Sequence, residues 1–156
     1  MMIRSFRQIV SAVSALAAAA TLMVSANADA AVFAGFQSRA NVVADQACVG
    51  NYWSGVSNIC SRYIYTQAVA TVTSAGNYSP NAYVYGDANT TLQVWGVNLT
   101  LDWIWTTGVG SHTTDYYGNA VWAGFTGIGA TYAPASGGLL FQTHLAPNQR
   151  ISNYSY

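Results

Sequence analysis

The stretch TTLQVWGVNLTLDWIWTT, residues 90–107, has the clearest two-residue alternation of apolar and polar side chains in the chain. From residue 95 to residue 105 its odd positions are apolar: Trp95, Val97, Leu99, Leu101, Trp103 and Trp105. The even positions from 98 to 106 are polar with the exception of Ile104: Asn98, Thr100, Asp102 and Thr106. Successive side chains of a β-strand point to opposite faces of its sheet. The spacing therefore predicts a strand whose apolar row packs in a core while its polar row faces water.

The rest of the chain supports the same kind of fold. Further strand candidates lie at residues 32–37, 62–73, 82–85, 121–132, 139–145 and 151–156. No segment after residue 31 keeps a 3.6-residue apolar period, and the connections are short and rich in Gly, Asn, Pro and Ser. Short connections favour antiparallel neighbours. The sequence predicts an all-β fold, a single antiparallel β-sandwich of about 7–8 strands (jelly-roll or immunoglobulin-like), with a small β-barrel as the alternative.

The N-terminal segment has the pattern of a secretory signal peptide. Arg4 and Arg7 precede a largely apolar, Ala-rich run at residues 9–24, and small residues follow it. Cleavage is expected after Ala28 or Ala30, because both positions end an A-x-A pattern. An uncleaved anchor is the alternative, but the apolar run is short for a membrane span. Residues 1–30 are thus predicted to be a signal peptide and residues 31–156 a single domain, secreted to the extracellular space or the periplasm.

The chain has two cysteines, at the ends of CVGNYWSGVSNIC, residues 48–60. In an exported protein, two lone cysteines normally form a disulfide. A thioredoxin-like motif needs two intervening residues, and a zinc site needs more than two ligands. The sequence therefore predicts a disulfide between Cys48 and Cys60 that closes a loop and contributes about 3 kcal/mol.

Charged residues are scarce, which excludes some partners. The chain has no Lys and no Glu, and after cleavage at residue 30 its net charge is three minus four, or −1. The remaining charged residues are Arg39, Arg62, Arg150, Asp45, Asp87, Asp102 and Asp115. Nucleic-acid binding needs clustered basic residues, so it is not expected, and membrane association is not favoured for the same reason. Aromatic residues, in contrast, are plentiful, with five Trp and eleven Tyr.

Few residues offer acid–base chemistry. SHTTDYY, residues 111–117, holds Ser111, His112 and Asp115 close together, but the members of a catalytic triad usually come from separate parts of a chain. His112 and Asp115 could share a metal with His144, although two ligands at this spacing are a weak signal. An acid pair for glycoside cleavage would have to combine Asp102 with Asp115. The sequence predicts no catalytic residue, no metal and no cofactor, and it favours a role other than that of an enzyme.

Binding is the function that these residues favour. Tyr52 and Trp53 lie between glycines in the disulfide loop, and Tyr116 and Tyr117 lie in another predicted turn. Exposed aromatic rings in a covalently closed loop suit the stacking of sugars or of protein hot spots. We hypothesise a secreted, non-catalytic module that binds a glycan or a cell-surface or matrix protein through these four residues. In the competing interpretation, Trp53 folds beneath its own loop and closes one end of the core.

Other functions stay open at this point. A self-associating structural protein of a surface or coat, and hence a homo-oligomer, fits the nearly uncharged composition. A secreted membrane-active toxin is less favoured. A small outer-membrane barrel is suggested by the alternating C-terminal segment RISNYSY, residues 150–156, but few other strands have the lipid-facing apolar band.

Overall fold

The computed structural model of the chain describes residues 31–53, 55–100, 102–106 and 108–156. The predicted signal peptide, residues 1–30, lies outside the described residues. The described part is nearly all β. Its strands are β1 Val32–Ala34, β2 Arg39–Ala40, β3 Val49–Tyr52, β4 Gly55–Asn58, β5 Ile64–Thr71, β6 Gly76–Tyr78, β7 Asn81–Gly86, β8 Thr91–Val97, β9 Trp103–Thr106, β10 Gly110–Thr114, β11 Ala120–Thr126, β12 Thr131–Ala133, β13 Gly138–Leu145 and β14 Arg150–Ser155. Two short 3₁₀ helices span Gly35–Gln37 and Val43–Cys48.

One large antiparallel sheet dominates the architecture. Its strands follow the order β2-β5-β13-β8-β10-β11-β7-β14-β4-β3, while β1 pairs with β14 and β9 with β8. This ten-strand path is barrel-like and nearly closed, and a separate two-stranded sheet joins β6 to β12. The longest pairings are those of β13, which runs antiparallel to β5 over eight residue pairs and to β8 over seven. The predicted all-β, antiparallel fold is therefore confirmed.

The inner face of the curled sheet forms the core. In β5 the even residues from Ile64 to Ala70 are buried and the odd ones are more accessible, as a strand with one face in a core requires. The largest fully buried apolar side chains include Phe141, Ile64, Leu92, Leu139, Leu145, Ile151, Val84 and Val94. Burying side chains of this size contributes roughly 1.5–3 kcal/mol each before entropy is counted.

The stretch at residues 90–107 differs from its predicted form. It is a hairpin of β8 and β9 rather than one strand, and Val97 pairs directly with Trp103. The buried even residues Leu92 and Val94 belong to the main core, whereas Trp95 and Val97 pack with Leu140 in a separate small cluster. The prediction that the odd row forms one core face was wrong at Leu99, which lies between the two strands and is 79% exposed. Leu101 and the side chains of Trp103 and Trp105 lie outside the described part of the structure.

Side-chain hydrogen bonds explain why the chain turns there. The backbone N–H groups of Thr100 and Asp102 both donate to the side-chain oxygen of Asn98. Asn favours such turns because its side chain replaces a backbone acceptor. Hydrogen bonds from Thr100 and Asn98 to the carboxylate of Asp102 also lower the pKa of this exposed residue. A local polar network thus interrupts the strand.

Tyr154 gives the core a pH-dependent group. It is fully buried, and its hydroxyl lies 2.7 Å from the hydroxyl of Ser38. Burial raises the pKa of Tyr154, and hydrogen bonds with Ser38, Thr143 and Thr66 only partly offset this effect. In the folded state the phenol therefore keeps its proton at pH values where an unfolded Tyr, with a pKa of about 10, would lose it.

This shift predicts a loss of stability at alkaline pH. Below about pH 10 Tyr154 makes its full contribution to the free energy of unfolding. As the pH rises above that value the contribution declines, because the unfolded state then binds fewer protons than the folded state. Tyr154→Phe should cost about 1 kcal/mol at pH 8 for the lost hydrogen bond, and it should make the decline above pH 10 shallower. Urea unfolding between pH 8 and 11 measures both effects. Tyr116→Phe, at an exposed position, is the control, and equal alkaline slopes for the two variants would contradict the assignment.

Candidate functional site

The predicted disulfide is present. Cys48 and Cys60 are bonded to each other, with their Cα atoms 5.0 Å apart, and the described residues contain no free cysteine. Cys48 ends the second 3₁₀ helix and is buried in the core. The segment between the two cysteines forms a hairpin, in which β3 pairs with β4 from Val49↔Asn58 to Tyr52↔Gly55. The disulfide thus ties the base of this hairpin to the core.

Trp53 projects from the tip of the hairpin. It follows Tyr52 directly, has a φ of 48° and is 94% exposed. A positive φ is uncommon for a large side chain, so the turn holds Trp53 in a conformation that costs free energy. The interpretation in which Trp53 folds beneath its own loop was wrong. The ring is available for contact with another molecule.

Tyr52, in contrast, lies against the outer face of the large sheet. In this region Trp122 of β11 pairs with Tyr85 of β7, and Tyr85 pairs in turn with Arg150 of β14. Tyr83 lies on the same face as Tyr85 because the two residues are two positions apart on β7. We call the side chains of Tyr52, Trp53, Tyr83, Tyr85 and Trp122 the aromatic surface.

Trp122 is at the centre of the aromatic surface. Its ring centroid lies 5.5 Å from that of Tyr83, 5.8 Å from that of Tyr85 and 6.3 Å from that of Tyr52. The rings of Tyr83 and Tyr52 are within 23° of parallel to the indole, while that of Tyr85 is tilted by 51°. Aromatic pairs at such distances stabilise one another. The indole is therefore held in place by its neighbours before any ligand arrives.

Arg150 brings the aromatic surface a positive charge. The central carbon of its guanidinium group lies 4.3 Å from the centroid of the Tyr52 ring, a distance typical of a cation–π contact. Within the described ranges, the single ion pair is that of Arg62 with Asp45, so no carboxylate pairs with Arg150. The site thus combines flat apolar rings with a cation whose hydrogen-bond donors are not engaged by an acid.

The other two predicted site residues lie elsewhere. Tyr116 and Tyr117 are strongly exposed in the turn between β10 and β11, with their ring centroids 5.3 Å apart in an edge-to-face arrangement. The carboxylate of Asp115 accepts hydrogen bonds from the side chain and backbone of Asn119 and from the backbone of Tyr117, and these bonds lower its pKa. In the part of the chain that is described, no ring contact joins this pair to the aromatic surface.

The residues weighed for catalysis and metal binding are dispersed. His112 is buried, and its Nε2 atom lies 2.8 Å from the carbonyl oxygen of Val84 and 3.1 Å from that of Ala123, so Nε2 carries the proton. His144 lies on the outer face, stacked with Tyr65 and Tyr63. Among the residues with described positions, no three His, Cys, Asp or Glu side chains are grouped as metal ligands would be.

Part of the aromatic surface was missed by the sequence analysis. Tyr52 and Trp53 were predicted as contact residues, but Tyr83, Tyr85 and Trp122 were not, and neither was Arg150. Two of these were accessible to prediction, because Tyr83 and Tyr85 flank the core residue Val84 and must therefore point outwards. Their proximity to Trp122 depends on strand pairing, which alternation alone does not determine.

Comparison of the sequence with known families and curated proteins identifies no relative. Over the described ranges, no helix has the length and the apolar character that a membrane crossing requires. The function therefore has to be inferred from the residues of the site.

Proposed function

We propose that this protein is a secreted, non-catalytic binding module whose aromatic surface binds a glycan. The observation that carries the proposal is the grouping of three rings, those of Tyr52, Tyr83 and Tyr85, around the indole of Trp122 on the outer face of the sheet. These rings do not belong to the buried core clusters. Rings gathered on a solvent-facing strand face are available to a partner.

The chemistry of the aromatic surface suits a sugar. A pyranose ring has apolar C–H faces that can stack on an aromatic ring, and its hydroxyl groups can bond to Tyr hydroxyls and the indole N–H at the ring edges. The surface is also preorganised, because three of its rings lie on sheet strands and Tyr52 lies on a disulfide-bonded hairpin. Little side-chain entropy remains to be lost on binding. Tyr116 and Tyr117 are proposed as a second, separate contact point.

Replacing Trp122 should abolish most of the binding. Trp122→Ala removes the ring that contacts Tyr52, Tyr83 and Tyr85, so the central stacking partner is lost and its neighbours are no longer held in place. We expect at least a tenfold rise in Kd, equivalent to about 1.4 kcal/mol, for a glycan found by array screening of the wild type. Isothermal titration calorimetry measures the change, and a thermal melt checks that the variant is folded.

Two tyrosines on different parts of the sheet provide a matched control. Tyr83 is 44% exposed and belongs to the aromatic surface, whereas Tyr65 is 45% exposed and stacks with His144 on β13. Tyr83→Ala should weaken glycan binding and Tyr65→Ala should not. If the two variants bind equally well, or if Trp122→Ala retains the wild-type Kd, the aromatic surface is not the site. The variant with both Tyr116→Ala and Tyr117→Ala tests the second contact point.

A further inference from the structure

We propose that the ligand of the aromatic surface carries a carboxylate and that Arg150 binds it, so that the glycan contains uronic acid residues. The inference rests on the glycan-binding function proposed above and narrows it to acidic sugars. It starts from the position of Arg150, which pairs across the sheet with Tyr85 on one side and with Ser57 on the other. The guanidinium group is therefore directed by a paired strand rather than by a loop.

Contact with Tyr52 leaves the donors of Arg150 available. The guanidinium carbon lies over the phenol ring of Tyr52, 4.3 Å from its centroid. A guanidinium group has five N–H donors in its plane, and they point away from its edges rather than from its flat sides. Stacking on a ring also partly removes water from the cation, which strengthens its attraction to an anion.

The aspartates of the described chain do not supply that anion, because each is engaged elsewhere. Asp45 pairs with Arg62, and Asp87 accepts a hydrogen bond from the backbone N–H of Asn89. The carboxylates of Asp102 and Asp115 are engaged by residues of their own turns. Arg150 is thus a charged side chain on a binding surface without an internal acid.

A uronic acid fits both the aromatic rings and the guanidinium group of the site. Its ring offers the C–H face that stacks on Trp122, and its planar carboxylate matches the two parallel N–H bonds of a guanidinium edge. Such charge-assisted bonds are stronger than neutral ones. A neutral sugar would contact only the rings and leave Arg150 without an acid. The positive charge of Arg150 therefore gives the surface a preference for acidic over neutral glycans.

The test uses pairs of ligands that differ only in charge. Oligomers of galacturonic, glucuronic and guluronic acid are each titrated as the free acid and as the methyl ester. The wild type should bind at least one free acid about tenfold more tightly than its ester at low salt. This preference should shrink as the salt concentration rises, because salt screens exposed charges. Equal binding of acid and ester in every pair would overturn the inference.

Variants separate the role of the charge from that of the rings. Arg150→Gln should make the acid and the ester bind alike, whereas Trp122→Ala should weaken both forms. Arg39→Gln removes the same charge from β2, where Arg39 pairs with Gln67 of β5. Among the described residues Arg39 has no cation–π contact with the aromatic surface, so this variant should keep the preference. If a sulfated galactan bound and no uronic acid did, the anionic group that Arg150 binds would be a sulfate, and the proposal of a carboxylate would be overturned. If the wild type bound no glycan at all, the proposed function itself would be refuted.

Discussion

Replacing both Cys48 and Cys60 with alanine is expected to lower the free energy of unfolding by about 3 kcal/mol, because the unfolded chain regains the entropy that the closed loop denies it. The two residues are 12 positions apart, and the loop between them contains the whole β3–β4 hairpin. The hairpin also meets the sheet through β14, where two residue pairs join β4 to it. The pairing of β4 with β14 remains in the variant, so the variant should stay folded with reduced stability.

Urea unfolding of the variant, with and without a reducing agent, measures the effect. The wild type in reducing agent is the matched comparison, and its midpoint should move towards that of the variant. A variant with the wild-type midpoint would show that the disulfide does not stabilise the fold. Glycan binding gives a second measure, since a looser hairpin positions Tyr52 less firmly beside Trp122. Binding should therefore weaken more for the cysteine variant than for Tyr65→Ala.

The disulfide and the fold class were predictable because both follow from local features. Alternation of period two identifies strands without any knowledge of their partners, and the predicted export of a chain with two cysteines favours a disulfide. What alternation could not distinguish was a long strand from a hairpin. Val97 pairs with Trp103 in the structure, and both occupy odd positions. The two-residue pattern therefore continues through the turn, and only the chemistry of Asn98 indicates where the strand ends.

The candidate site was predicted in part for a related reason. Tyr52 and Trp53 were accessible because the disulfide loop is visible in the sequence. The rest of the aromatic surface comes from β7 and β11, and Arg150 comes from β14; these strands are far apart in sequence and adjacent in the sheet. The pairing of Trp122 with Tyr85, and of Tyr85 with Arg150, depends on strand order and register. Neither property follows from the alternation of single strands, so Arg150 could not be linked to Tyr52 in advance.

Gly96→Ala is expected to destabilise the protein by about 3 kcal/mol, the upper end of the usual range for overpacking. Gly96 lies on β8 where β12 packs against it, and an added Cβ would be 1.8 Å from the carbonyl oxygen of Tyr132. The obstacle is a backbone atom, which a change of side-chain rotamer cannot remove. Either β8 or β12 would have to move, and neighbouring Ala133 is fully buried. Urea unfolding of the variant against the wild type measures the cost.

Gly76→Ala is the matched control, because Gly76 lies on β6, the strand paired with β12, and a Cβ there meets no atom within 4 Å. This variant should be neutral or slightly stabilised, by less than about 1 kcal/mol, since alanine reduces the entropy of the unfolded chain. A wild-type midpoint for Gly96→Ala would mean that β12 does not press on β8. If both glycine variants lost the same stability, the cause would be strand propensity or backbone flexibility rather than the close approach. A large difference between them would establish that the two-stranded sheet packs tightly against β8, because only the Cβ added at Gly96 would meet the backbone of β12.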